Sequence, residues 1–293
     1  MARLRRNTSL PSHVDSADAG FVMQRLARWA LARDAAAIWR ARELVAVLVR
    51  REVAARHAGT AAGVVWPYLQ PLLSVAAYYL VFDVVFAMRL GAGAPAHAVG
   101  TFLIVGALPW MAFCDAVSRG MNSLVEAGGL LQKNSLPPAL FAVRAVLASA
   151  VIYGPLLVLM ALLYTPLHAW RPAILAMLPL MGLQLLLCLL LGYLLAILTA
   201  ALRDVAQVVG FMLSVGIYLT PILFPLAMFP ERWRWVLWLN PVTALVIGYQ
   251  SVLLQGAWPP LMVWGVALAW LAALAVLLNG VVARSRDQLV DWL

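Results

Sequence analysis

The sequence predicts an all-α integral membrane protein with six transmembrane helices, an N-terminal amphipathic helix and two short re-entrant helices between spans five and six. Of its 293 residues, 65% are hydrophobic and 11% are charged, and the mean hydropathy is +0.91. A soluble domain is only about 45–50% apolar. The apolar residues also form stretches of about 20 residues, the length of a helix that crosses a bilayer. This much apolar surface must therefore face lipid.

The N-terminal region begins with a segment, residues 1–34, that predicts a flexible cytoplasmic tail. Between residues 35 and 58 the pattern changes, because Ile38, Val45 and Val49 recur on one helical face. This pattern predicts an amphipathic helix along the cytoplasmic interface. A soluble helix packed on a partner domain is the alternative. Four of its arginines are candidates for phosphate contacts at the cytoplasmic entrance or for general lipid anchoring: Arg40, Arg50, Arg51 and Arg56.

The remaining residues, 59–293, form one predicted six-helix transmembrane domain. The six expected spans are 63–88, 99–122, 145–164, 173–202, 205–224 and 261–282. A further apolar stretch, 233–254, is interrupted by Asn240 and Pro241. Since proline breaks a helix interior, this stretch predicts two short helices that enter the outer leaflet and return. A seventh true span is the alternative.

The basic residues test this topology. With six spans and both termini cytoplasmic, 17 of the 21 basic residues lie inside and 4 lie outside. This bias is the positive-inside pattern, and a seventh span weakens it to 15 against 6. The formal net charge of +9 is then a topology signal and a contact with anionic lipid. The net positive charge is therefore no longer an argument for nucleic-acid binding.

Catalytic motifs are not apparent in the sequence. It contains no G-x-x-x-x-G-K-[ST] phosphate loop, so the chain is not expected to hydrolyse ATP itself. The four histidines are scattered, without a metal-ligand pattern. Asp115 and Arg119 are spaced to form an i, i+4 ion pair, although Asp115 as part of a polar path is the alternative. We therefore expect neither a metal site nor an enzyme.

Three segments together resemble the permease subunits of ABC exporters for polysaccharides, which include O-antigen, capsule and teichoic-acid exporters. The first holds Gly63, Trp66, Pro67 and Pro71 within AGVVWPYLQPLLSVAAYYLVFDVVF. The second starts as FLIVGALPWMAF at Phe102 and runs through SRGMNSLVEAGGLLQKNSLPPALFAVR to Arg144. The third extends from Leu198 to Leu253 and includes Arg203-Asp204, TPILFP and WLNPVT.

The resemblance implies a homodimer in the bacterial inner membrane that exports a lipid-linked polysaccharide. Each of the two permease copies would dock one separate ABC ATPase subunit. ATP and Mg would bind to the ATPase subunits, and this chain would bind no cofactor. An exporter of drugs or lipids with the same architecture is the nearer alternative. A non-transporting membrane anchor or membrane-embedded enzyme is the more distant one.

The family's coupling helix corresponds here to residues 122–139. Physically, the Gly128-Gly129 pair breaks the descending helix and Pro137-Pro138 stops the short one that follows. A plain Pro/Gly turn between two spans is the alternative. The family tends to have an aromatic residue, a proline and a basic residue where this chain has Leu136, Pro137 and Pro138. The candidate docking residues are Gly129, Leu130, Leu131, Gln132, Lys133, Leu136 and Pro137.

Aromatic rings are the candidates for the sugar path, because they stack on the C–H faces of sugars without fixing the polymer in place. Interfacial anchoring is the alternative for each ring. The candidate channel residues are Tyr68, Tyr78, Tyr79, Phe82, Tyr193, Phe211 and Tyr218. An outer gate is expected within residues 225–256, at Trp233, Trp235, Trp238, Asn240 and Pro241.

Overall fold

The computed structural model describes residues 30–56, 59, 63–85, 98–133, 136–164, 171–286 and 288–292, and among these it contains helices and turns but no strand. The α-helices are α1 Ala30–Arg40, α2 Arg42–Ala55, α3 Trp66–Tyr79, α4 Ala98–Glu126, α5 Gly128–Leu131, α6 Ala139–Tyr164, α7 Met177–Ala201, α8 Asp204–Gly216, α9 Arg234–Trp238, α10 Pro241–Gln255, α11 Leu261–Ser285 and α12 Leu289–Trp292. A π-helix, Leu80–Val85, extends α3. The all-α fold class is confirmed.

Five helical stretches of the described residues are long and apolar enough to cross a membrane. They are Trp66–Val85, Val99–Glu126, Ala139–Tyr164, Pro172–Ala201 and Leu261–Ser285. These stretches match spans one to four and span six of the sequence prediction. Their ends differ by a few residues, the largest difference being the third helix, which begins at Ala139 instead of residue 145.

The fifth predicted span, 205–224, is shorter than expected. Its apolar helix, Asp204–Leu219, is about 24 Å long at 1.5 Å per residue, below the ~30 Å of a bilayer core. The chain then leaves the helix in a turn that contains Pro221 and leads to Pro225. Hydropathy extended the predicted span past the helix end because Ile222, Leu223 and Phe224 are apolar, although Pro221 cannot continue a helix.

The predicted break at Asn240 and Pro241 is present. The helical segment Glu231–Trp238 and α10 are bent by 105° relative to each other. Asn240 caps α10, since its Oδ1 accepts a hydrogen bond from the Val242 amide at 3.0 Å. Pro241 occupies the first helical position, where its missing N–H costs nothing. The bend is thus encoded by a cap and a proline next to each other.

The N-terminal helical region differs from the single helix expected at 35–58. Helix already begins at Ala30, so residues 30–34 are not a flexible tail, and a break at Ala41 divides the region into α1 and α2. Residues 1–29, 57 and 58 lie outside the described part of the chain.

The apolar face predicted for this region exists, but it contacts protein. Val45 and Val49 of α2 pack against Leu140 and Ala148 of α6. Because α6 is a spanning helix, α2 is fixed to the transmembrane domain along its apolar face.

Helix α4 forms the centre of the domain and packs against α6, α7 and α10. A Cβ on Gly120 of α4 would lie 3.0 Å from the Cα of Gly192 on α7. Small residues allow such close backbone approach, which is a main source of helix association in lipid. Gln184 of α7 adds polar links, donating from Nε2 to the Pro109 carbonyl at 2.9 Å and accepting from the Tyr249 hydroxyl at 2.8 Å.

Candidate functional site

The segment expected to couple to an ATPase follows the C-terminal end of α4, which the basic-residue distribution predicts to be cytoplasmic. The chain turns at Ala127 and forms α5, a single helical turn. The two leucines of α5 point in different directions, because Leu131 is 6% exposed and Leu130 is 46% exposed. Gln132 and Lys133 are also exposed, while Leu136 and Pro137 are half-buried. Gly129, Leu130, Gln132 and Lys133 therefore form the accessible part of the predicted docking set.

Leu131, Leu136 and Pro137 line a cavity of about 470 Å³ behind this segment. The cavity lies where the coupling segment meets α1, α7 and the C-terminal helices. Its polar wall consists of Arg33, Asp34, Arg40, Tyr193, Ser285 and Arg286. A movement of the coupling segment would therefore change the shape of this cavity and its contacts with α1, α7 and the C-terminal helices.

Asp34 joins three of these elements. Its Oδ2 accepts a hydrogen bond from the Tyr193 hydroxyl of α7 at 3.0 Å, and its Oδ1 pairs with Nη2 of Arg286 at 2.8 Å. The Asp34 side chain is buried, in a helix whose other charged residues are Arg33 and Arg40. Because the distribution of basic residues predicts this side of the domain to be cytoplasmic, we call Asp34, Tyr193 and Arg286 the cytoplasmic junction.

The cytoplasmic junction was not predicted from the sequence. Asp34 was assigned to the flexible tail and Arg286 to the topology signal, and 252 residues separate them. Tyr193 was a candidate for the channel lining, but its ring is 6% exposed and its hydroxyl is engaged by a carboxylate. We therefore assign Tyr193 to the junction and not to the sugar path.

Replacing Asp34 with alanine is expected to lower the free energy of unfolding by about 1–3 kcal/mol, because the buried Tyr193 hydroxyl loses its acceptor. The exposed half of the Arg286 side chain limits what its ion pair adds. Thermal unfolding of the purified protein in detergent measures the change. Combining Asp34→Ala with Tyr193→Phe should cost less than the sum of the single effects, since both remove the same bond. Strict additivity would show that the bond contributes nothing.

A second polar cluster lies between α2, α4 and α6. Arg56 donates from Nη1 to Asp115 Oδ2 at 3.3 Å and from Nη2 to Ser149 Oγ at 3.1 Å. Ser149 Oγ donates to the same Asp115 oxygen. The i, i+4 pair of Asp115 with Arg119 is present, with Arg119 Nε 2.8 Å from Oδ1. We call these four residues the inner charge cluster.

The inner charge cluster corrects the role expected for Arg56. Its side chain is 4% exposed, so it does not face lipid phosphates. Burial lowers the pKa of its guanidinium, and the Asp115 carboxylate opposes that shift. Arg40, Arg50 and Arg51 are exposed, and a role at lipid head groups stays a prediction for them.

The remaining candidate channel rings lie on two helices that both flank α4. Tyr68, Tyr78 and Tyr79 are on α3, with Phe82 in its π-helical continuation, while Phe211 and Tyr218 lie on α8 and the 3-10 turn after it. Phe211 and Tyr218 are strongly exposed, at 68% and 63%. Tyr68 and Tyr78 are half-buried and pack against the core. Both helices leave aromatic side chains at the surface of the single chain.

The predicted gate residues divide into two groups. Trp233 and Trp235 are exposed, whereas Trp238 packs against the core and its carbonyl accepts a hydrogen bond from Trp270. Asn240 also donates from Nδ2 to Thr220 Oγ1 at 2.8 Å. Asn240 and Pro241 thus fix the bend between the two helical segments, while Trp233 and Trp235 are exposed at the surface.

Comparison with known proteins gives consistent matches. The model of the ABC-2 type transporter family matches residues 43–254. An O-antigen export system permease protein, RfbA, of Myxococcus xanthus is 29% identical over 247 residues, covering 80% of this chain and 92% of that protein. Two proteins of the same description from Klebsiella pneumoniae are 23% and 22% identical, each covering 73% of this chain and 81% of their own length. The family match includes the inner charge cluster, the coupling segment and nearly all of α10.

Proposed function

Because the chain belongs to the ABC-2 type transporter family, we propose that it is the membrane-spanning subunit of an ATP-driven exporter of lipid-linked polysaccharide. The observation that supports polysaccharide as the substrate class is the similarity to an O-antigen export permease over 80% of the chain. The distribution of basic residues, 17 against 4, supports an inner-membrane orientation with both termini in the cytoplasm.

A separate ABC ATPase supplies the energy and carries ATP and Mg, since the chain lacks a phosphate loop. It docks on the exposed part of the coupling segment, around Leu130, Gln132 and Lys133. The buried side of the same segment lines the cavity with the cytoplasmic junction. Movement of the ATPase can therefore reach α1, α7 and α11 through direct packing.

A second copy of the chain completes the transport path. In the spanning segment that includes α3, only 11% of the residues of its apolar stretch are buried within the single chain. Helix α8 exposes large apolar side chains, including Phe211 and Met212. Pairing of two copies covers part of these faces. The aromatic rings on α3 and α8 then offer flat surfaces on which sugar rings slide without specific hydrogen bonds.

Purified permease alone is expected to show no ATP hydrolysis, because the catalytic phosphate loop belongs to the partner. Hydrolysis should appear when the cognate ATPase is added in a lipid bilayer, measured as phosphate release. A Walker-lysine variant of the ATPase is the matched control and should abolish the activity. Sustained hydrolysis by the permease alone would contradict the proposal.

The substrate class is tested by deletion of the permease gene in its host. Glycolipid should accumulate on the cytoplasmic side, and the cell surface should lack the corresponding polysaccharide. Complementation with the intact gene is the control. Normal surface polysaccharide in the deletion strain would contradict export of polysaccharide by this chain and favour a drug or lipid exporter.

A further inference from the structure

Two grooves meet on the side of the domain formed by α2, α6 and α7. The first, of about 630 Å³, lies between the interface helices and α6, and the second, of about 210 Å³, lies deeper between α6 and α7. Ala150 lines both grooves, and the neighbours Cys188 and Leu189 of α7 line the deeper and the shallower one respectively. The grooves therefore follow each other along one seam, which we call the α6–α7 seam.

The α6–α7 seam is apolar and open along its length. From Val143 to Leu157 it covers about 21 Å of α6, more than the ~15 Å of one leaflet's share of the bilayer core. A methyl group placed on Gly154 or Gly182 would meet no atom of the described residues within 4 Å. Both glycines line the deeper groove, so the space there is not filled by the protein itself.

The cytoplasmic mouth of the seam has a different chemistry. Trp39 and Arg42 line it, with the Arg42 guanidinium 5.8 Å from the centre of the Trp39 ring. Both side chains are exposed. A tryptophan and an arginine at the end of an apolar groove match the interface of a membrane, where an anionic head group meets hydrocarbon.

We propose that the α6–α7 seam binds an anionic glycerophospholipid of the cytoplasmic leaflet, with one acyl chain in the grooves and its phosphate at Arg42. α6 is a spanning helix, and its neighbouring side chains Val151, Val158 and Leu159 are apolar and exposed. The seam therefore opens toward the bilayer. This lipid site goes beyond the proposed transport function and does not depend on the exported substrate.

A second copy of the chain fits the seam less well than a lipid. A twofold contact places the same patch against itself, which would bring the two Arg42 side chains toward each other. A phosphate instead complements the charge. A bound lipid would also fill the space between α2 and α6, next to the contacts of Val45 and Val49 with Leu140 and Ala148. The lipid would thus stiffen the attachment of the interface helix.

Native mass spectrometry of the full chain, extracted from vesicles of phosphatidylglycerol, phosphatidylethanolamine and a polyprenyl phosphate, tests the proposal. The intact chain should retain phosphatidylglycerol in preference to phosphatidylethanolamine. Arg42→Gln should reduce this retention about fivefold, the effect of one basic side chain near an anionic lipid. Arg203→Gln, a cytoplasmic change of the same charge outside the seam, is the control and should retain the lipid as the intact chain does.

Two bulky substitutions on α6 test the acyl-chain groove. Ala150→Trp fills the junction of the two grooves and should abolish retention, whereas Leu159→Trp, on the exposed face outside the seam, should not. Equal retention by the Arg42, Ala150 and control variants would overturn the proposal. Loss of the dimer in Ala150→Trp would assign the seam to a second copy, and preferential retention of a polyprenyl phosphate would assign it to the exported substrate. Either result would also overturn the phospholipid site.

Discussion

Asp115→Ala is expected to lower the free energy of unfolding by about 3–5 kcal/mol, the cost of leaving one partner of a buried ion pair uncompensated. Arg56 is nearly fully buried, and Asp115 and Ser149 are its hydrogen-bond acceptors. Without this carboxylate, the guanidinium loses its ion-pair partner at the point where α2, α4 and α6 meet, and only the weaker influence of the Glu52 carboxylate is left. The expected result is loss of the folded protein at the temperature of expression, measured by thermal unfolding and by recovery of monodisperse protein in detergent.

Arg119→Ala is the matched control for the Asp115 substitution. It also breaks a bond to Asp115, but the Arg119 side chain is 40% exposed, so its loss should cost only about 0–1 kcal/mol. The combined substitution Arg56→Leu with Asp115→Leu should recover much of the stability, because apolar residues can replace a buried ion pair. A large effect of Arg119→Ala together with a small effect of Asp115→Ala would contradict the assignment of Arg56 as the buried partner.

The inner charge cluster shows which features a local pattern can predict. The Asp115–Arg119 pair follows from i, i+4 spacing alone. Arg56 was expected at lipid head groups, yet it lies 7 residues after Val49 and 11 after Val45, which places it on the buried stripe of α2. The spacing of Arg56 from Val45 and Val49 was therefore the sequence signal that its side chain points into the protein. It could not identify Asp115 as the partner, because 59 residues separate them.

The spans were predicted better than the residues between them. Hydropathy located five long helices, since lipid requires a continuous apolar stretch. It overestimated the length of the fifth span, because the apolar residues Ile222, Leu223 and Phe224 continue the hydropathy signal beyond Pro221, where the helix has ended. The cytoplasmic junction was beyond sequence reasoning, since the Asp34–Arg286 pair depends on how the two ends of the chain pack together.

Leu130→Glu is expected to uncouple the permease from its ATPase without unfolding it. Leu130 is exposed on α5 while its neighbour Leu131 is buried in the core, so a carboxylate at position 130 changes the surface proposed for docking and is not placed in the core. Loss of one central apolar contact at an interface costs about 2 kcal/mol or more, which is about a 30-fold weaker association. ATPase binding to the reconstituted permease and export of the glycolipid measure the effect.

Substitutions of the two leucines of α5 distinguish a loss of docking from a loss of folding. Leu131→Glu should unfold the permease, since a buried charge without a partner is strongly unfavourable, and its loss of export would come with a loss of recoverable protein. Leu202→Glu alters another exposed leucine expected on the cytoplasmic side and should leave ATPase binding unchanged. If Leu130→Glu binds the ATPase normally, the docking surface lies elsewhere. The cavity behind α5 would then not be the route by which ATP hydrolysis reaches Asp34 and the spanning helices.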